Sequence, residues 1–143
     1  MIELIYRELD DYKYQVDKDF EIQTGIYGQT CMIEYIRLTP DGLLWIKAGY
    51  AWNGSNWSSD EDAMFASLVH DALYQLMRLG LLSRTVFRKP ADALYRDICI
   101  AEKLWGPRAK FRYSMLRMFG KGSTYPEKKP RGQIKTLTIR WAA

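Results

Sequence analysis

The chain has 143 residues, 48% of them hydrophobic and 14% aromatic, enough apolar matter for one buried core and too much for a disordered segment. No apolar run reaches the roughly 20 residues of a membrane span, and the acidic start (Glu3, Glu8, Asp10, Asp11) is not the basic-then-apolar pattern of a signal peptide. The net charge of +4 is uneven: from Lys103 onward there are eleven Lys or Arg against one acid, Glu127, so the preceding part is acidic.

The first 50 residues read as β-strands. Residues 20–24 alternate apolar and polar as a half-buried strand does. Residues 32–38 and 43–48 are predicted strands flanking Thr39, Pro40, Asp41 and Gly42. Pro presets φ and Gly accepts φ > 0, so that tetrad is a turn. Cys31 falls in the strand region and Cys99 in a helical one. They form no CxxC pair and the chain has a single histidine, so buried free thiols are expected rather than a zinc site.

A polar loop over residues 53–59 leads into a first helix. Ser58 with Glu61, or Ser59 with Asp62, has capping-box spacing. Met64, Phe65, Leu68, Val69, Leu73, Leu76 and Met77 then keep helical spacing, and Gly80 is the expected stop. Residues 83–89 read as a connection, with Pro90 in the first turn of a second helix. That helix carries Leu94, Ile98 and Leu104 and ends at Gly106 and Pro107. A basic, amphipathic third helix is predicted over residues 108–119, with Phe111, Met115, Leu116 and Phe119 apolar and Gly120 closing it. Lys121 opens an expected extended basic arm, with a strand over residues 134–141. The fold class is α+β: antiparallel strands, then three helices. Residues 1–120 form one domain and 121–143 a C-terminal arm.

The candidate chemistry lies on the first two helices. Histidine is the side chain suited to general-base work near neutral pH, so His70 is the candidate to take a proton from water. Asp92, on the facing helix, is placed to hold the other imidazole nitrogen, as the carboxylate of a Ser-His-Asp triad does. Tyr74 follows His70 by one turn, and Tyr95 lies on the Asp92 side of its helix. Asp71 is about 100° around the helix from His70. It points elsewhere, toward a hard cation that would draw backbone oxygens from the Asn53-Gly54-Ser55-Asn56 loop. Such a cation would polarise a carbonyl.

The run Tyr50-Ala51-Trp52-Asn53-Gly54-Ser55-Asn56, then His70-Asp71-Ala72-Leu73-Tyr74, then Ala91-Asp92-Ala93-Leu94-Tyr95-Arg96-Asp97 resembles the phospholipase A2 superfamily, in particular the compact phospholipase domain of parvovirus capsids. Tyr95 stands where that pattern has Phe. The chain also resembles, over roughly residues 34–120, a poorly characterised phage and prophage family. That resemblance adds Gly49, Ser83-Arg84 and the closing Arg117-Met118-Phe119-Gly120. It implies a host-cytoplasmic or virion location.

Carried over residue by residue, the phospholipase resemblance makes His70 the general base, Asp92 its orienter and Tyr74 a hydrogen-bond donor to Asp92. It makes Asp71 the carboxylate of a calcium site completed by backbone oxygens near Trp52, Asn53 and Gly54. The implied activity is calcium-dependent hydrolysis of a phospholipid or related ester, with Trp52, Trp57 and Trp105 ringing the entrance. The alternative is a non-catalytic phage protein, a virion part or an inhibitor of a host defence, that binds a phage or host protein. Nucleic acid is not the expected partner: few aromatics interleave with the basic residues, and no reader motif is present.

Overall fold

A computed structural model of the chain describes residues 2–10, 13–54, 63–102, 106–126, 136 and 138–140. The architecture is α+β. Among the described residues seven short strands come first: β1 (Tyr6–Glu8), β2 (Tyr14–Val16), β3 (Phe20–Gln23), β4 (Cys31–Met32), β5 (Ile36–Leu38), β6 (Leu43–Ile46) and β7 (Ala51–Trp52). Three helices follow: α1 (Met64–Arg78), α2 (Arg84–Ala101) and α3 (Gly106–Phe119). The strands form two antiparallel sheets, one ordered β1-β2-β7 and the other β3-β6-β5-β4.

The larger sheet follows from its alternation. Phe20 and Ile22 pair with Ile46 and Leu44, which pair in turn with Ile36 and Leu38, and all six are buried. The intervening Glu21, Trp45 and Arg37 take the opposite face, where the Arg37 guanidinium lies 5.0 Å from the Trp45 ring centre. The buried face packs on α1, with Phe20 and Phe65 rings 5.9 Å apart. The turn at residues 39–42 forms as its composition demands. Gly42 N–H donates to Thr39 O at 2.9 Å, and Gly42 has φ +85°. The single strand predicted over residues 32–38 is instead two paired strands, β4 and β5. Ile33 N–H donates to Ile36 O and folds the chain back on itself.

Helix α1 ends as predicted at Gly80. Gly80 has φ +73°, its N–H donates to Met77 O, and Leu81 N–H donates to Leu76 O, the paired bonds of a Schellman motif. Its N-terminus has no side-chain cap from Ala63. The capping boxes proposed at Ser58 and Ser59 lie outside the described residues. The Glu102 carboxylate, at the end of α2, serves instead: it accepts from Ala66 N–H at 2.8 Å, in the first turn of α1.

Helix α2 starts six residues before the predicted Pro90. Ser83 is its cap, with Oγ accepting from Val86 N–H at 3.3 Å. Pro90 is therefore interior and leaves the Val86 carbonyl without its helical donor. The cap and the buried Ala91, Asp92, Tyr95, Ile98 and Cys99 offset that loss. Gly106 and Pro107 open α3 rather than close α2, because a first helical turn needs no N–H from Pro. Leu104 lies outside the described residues. The inward face of α3 is the predicted one only in part. Ala109, Arg112 and Leu116 are buried, Met115 is half-buried, and Phe111 and Phe119 are exposed.

The extended arm does not begin at Lys121. Gly120–Thr124 form a short 3-10 helix against α1 and α2, with Gly120 and Thr124 buried. Three arginines grip main-chain oxygens of this segment and of the end of α3. Arg78 donates to Ser123 O, Arg84 to Thr124 O, and Arg88 to both Leu116 O and Arg117 O, all at 2.7–3.1 Å. Of the strand predicted over residues 134–141, Thr136 and residues 138–140 are described and are irregular. Cys31 and Cys99 are free and buried, and the Cys31 thiol donates to Leu81 O. Among the described residues, no helix is long and apolar enough to cross a membrane.

Candidate functional site

Helices α1 and α2 pack side by side, and α3 packs against α2. On α1, His70 and Tyr74 are one turn apart and share a face. Their rings are 3.9 Å apart. Both turn toward Asp92, which the early start of α2 places mid-helix and which is fully buried. His70 Nε2 lies 2.8 Å from Asp92 Oδ1, and the Tyr74 hydroxyl donates to the same oxygen at 2.5 Å. Arg117 Nη1 donates to Oδ2 at 2.9 Å, and Arg88 Nε lies 3.9 Å from that oxygen. Three helices thus converge on one carboxylate.

Burial alone pushes the Asp92 carboxyl up. The hydrogen bonds from His70, Tyr74 and Arg117 outweigh it and hold the group below the ordinary carboxylate range. An ionised Asp92 accepts the Nε2 proton of His70, which leaves the Nδ1 lone pair as the basic position of the neutral ring. Among the described residues, Nδ1 has no hydrogen-bond partner. Burial, reinforced by the neighbouring Asp92 charge, pushes the Tyr74 phenol well above its usual value, so it stays a donor.

The dyad opens on a cleft of about 340 Å³. Its lining includes His70, Asp71, Tyr74 and Tyr95, with Gly54 on the loop side and Gly120 on the other wall. Tyr95 sets its ring edge-on to His70, with centres 5.4 Å apart, and is almost fully buried. Asp71 takes a separate direction: its Oδ2 accepts from the Tyr50 hydroxyl, and Oδ1 has no partner among the described residues.

Of the loop residues expected at a cation, Gly54 lines the cleft, with φ +79°. Asn53 Oδ1 faces the Lys13 amide at 3.4 Å. Trp52 does not ring the entrance. It is buried, with Nε1 donating to Ser67 Oγ at 3.1 Å, and Tyr6 and Tyr14 pack around it. This anchor ties β7, and with it Gly54, to α1. Ser55, Asn56, Trp57 and Trp105 lie outside the described residues. Among the described residues no group of three His, Cys, Asp or Glu gathers around Asp71. A cation there would take one carboxylate and, for the rest, backbone and water oxygens, a donor set that suits a hard ion such as calcium.

Among the described residues, two serines line the cleft. Ser67 Oγ accepts from Trp52 and donates to Met64 O at 3.2 Å, so its proton is directed away from His70. The Ser123 main chain is held by Arg78 on the opposite wall. The arrangement therefore suits water activated by an imidazole better than an acyl-serine route.

Four contributors were not assigned roles in the sequence reading: Tyr50, Arg88, Arg117 and Gly120. Arg117 and Gly120 belong to the closing Arg117-Met118-Phe119-Gly120 run that carried part of the phage resemblance. Gly120 is needed for space: a Cβ there would sit 2.8 Å from the Tyr74 hydroxyl oxygen. No family model, curated protein or solved structure matches this chain.

Proposed function

We propose that the chain is a phage-encoded, phospholipase A2-like hydrolase that cleaves a carboxylic ester of a phospholipid or related molecule with a His70–Asp92 dyad. The observation that carries this reading is the shared Asp92 Oδ1, 2.8 Å from His70 Nε2 and 2.5 Å from the Tyr74 hydroxyl, beside an open cleft. A carboxylate used only to neutralise arginines has no need of an imidazole whose second nitrogen is left unpaired.

In the proposed reaction, His70 Nδ1 takes a proton from water as the water oxygen bonds to the ester carbonyl carbon. Asp92 holds the ring in the Nε2–H form and stabilises the imidazolium through that hydrogen bond. Collapse breaks the bond to the alcohol oxygen, and the imidazolium returns its proton to that oxygen. The products are a carboxylic acid and an alcohol. Tyr74 and Arg117 keep Asp92 from turning. Asp71, with backbone oxygens at Trp52, Asn53 and Gly54, would hold a calcium ion, which when bound supplies polarisation of the ester carbonyl. The Tyr50 hydroxyl fixes the Asp71 side chain for that purpose.

The test is release of fatty acid from phosphatidylcholine vesicles in calcium buffer by the full chain. Activity is expected, with loss on chelation and a fall of at least about a hundredfold in His70→Ala. Activity undiminished in His70→Ala would eliminate the dyad mechanism.

A further inference from the structure

Helix α1 continues the reactive face beyond Tyr74. His70, Tyr74 and Arg78 are spaced four residues apart, so they stack along one side and span roughly 12 Å of helix. All three line the same cleft, with Gly120 and Ser123 also in its walls.

The Arg78 guanidinium is held in place. Its Nε and Nη2 both donate to Gln75 Oε1, at 3.1 and 2.5 Å, and Nη1 donates to Ser123 O at 3.0 Å. Both acceptors are neutral. Arg7, Arg96 and Arg117 each pair with an aspartate, whereas among the described residues no carboxylate pairs with Arg78. A guanidinium has five N–H donors. Three are used here, so two remain on a full, uncompensated positive charge in the cleft.

Such a group matches an oxyanion. The planar fork complements carboxylate and phosphate oxygens. Cleft walls of low dielectric strengthen the attraction. The bonds to Gln75 and Ser123 have already removed much of the side-chain freedom that binding would otherwise cost.

We propose that Arg78 is an anion subsite of this cleft, and that the ester cleaved at His70 carries a phosphate or carboxylate group on the part of the molecule lying toward Arg78. This deepens the hydrolase reading and rests on it only for which end of the ligand reacts. The subsite also sets a direction: the scissile carbonyl lies against His70 and Asp71, and the charged group lies two helical turns away.

Inorganic phosphate and acetate, each titrated against chloride at constant ionic strength into the 15N-labelled full chain, test the subsite without any turnover. Saturable shifts of the Arg78 Nε–H and Ser123 amide signals are expected. The Ser123 shift, which can be followed in every variant, should vanish in Arg78→Gln and persist in weakened form in Arg78→Lys. The oxyanion with the stronger response identifies the charged group. A response no greater than that to chloride, or one that survives in Arg78→Gln, would overturn the subsite.

A second arm compares two esters of one acyl chain, one neutral and one bearing that oxyanion in its alcohol part. Arg78→Gln is expected to lower kcat/KM for the charged ester, relative to the neutral one, by roughly tenfold to a hundredfold. An equal loss on both esters would overturn the substrate assignment. Saturable, Arg78-dependent anion binding with no hydrolysis of either ester would sink the hydrolase reading and leave the anion subsite standing.

Discussion

Replacing Asp92 by asparagine tests the junction of the three helices. Asparagine keeps the shape but removes the charge, and its amide presents a donor on one side. If that side faces Arg117, two donors meet. If it faces His70 and Tyr74, the Tyr74 hydroxyl loses its acceptor. In either orientation Arg117, 2.9 Å away, and Arg88, 3.9 Å away, lose their counter-charge at a fully buried position. Removing one partner of a buried ion pair costs about 3–5 kcal/mol. In a chain of this length that corresponds to a fall in Tm of roughly 10–20 °C.

Urea unfolding followed by tryptophan fluorescence measures it, with Trp52 as a buried reporter. The midpoint should fall with the slope unchanged. The pH dependence gives a second check. The Asp92 carboxyl is held below its ordinary value, so its contribution is full above the unfolded value of about 3.9 and is lost as pH falls through the folded one. The wild-type chain and Asp92→Asn should therefore converge in stability on the acid side. A neutral-pH loss below about 1 kcal/mol, or a constant gap down to pH 2, would refute the reasoning.

Gly120→Ala should destabilise the wild-type chain but cost little in a Tyr74→Phe background. The added Cβ meets the hydroxyl oxygen at 2.8 Å but only ordinary ring contacts at 3.6 Å. A double-mutant cycle should give a coupling of roughly 1–2 kcal/mol, and additive effects would contradict the contact. Burial pushes the Glu102 carboxyl up, so its contribution to folding is full below the unfolded value of about 4.3 and is lost as pH rises through the folded one. Glu102→Gln should flatten that limb of the stability profile, while Glu102→Ala should cost about 1 kcal/mol in the acid range by stripping the first turn of α1 of its acceptor. Burial also pushes both the Cys31 and Cys99 thiols up. Ellman's reagent should therefore react with them slowly in buffer and rapidly in urea, and fast reaction of either in the folded chain would count against their burial.

Local chemistry made some parts of this fold legible in the sequence. The Thr39 to Gly42 turn and the Gly80 stop each depend on a residue tolerant of φ > 0, and such residues announce themselves. The His70–Asp92 pairing was readable because two helical motifs were each recognisable alone. The misreadings share a cause, which is that tertiary contacts outweighed local signals. Pro90 looked like a helix start because its missing N–H is cheapest there, yet the Ser83 cap and the buried face of α2 carry the helix across it. The α1 cap comes from Glu102, 36 residues beyond the Ala66 amide it accepts from, and no local window contains both. Arg112 is buried on α3 while Phe111 is exposed, an inversion that hydrophobic spacing cannot anticipate. Arg117 gave no signal of its role because surface arginines are common and its partner lies on another helix.

The arginine straps from Arg78, Arg84 and Arg88 grip peptide oxygens, not side chains. Every residue has such an oxygen, so the bonds are blind to what is written at Leu116, Ser123 and Thr124. One side of the cleft can thus change its chemical lining by point substitution while its backbone stays pinned. Diversification of ligand preference is in this way uncoupled from the scaffold that holds the imidazole.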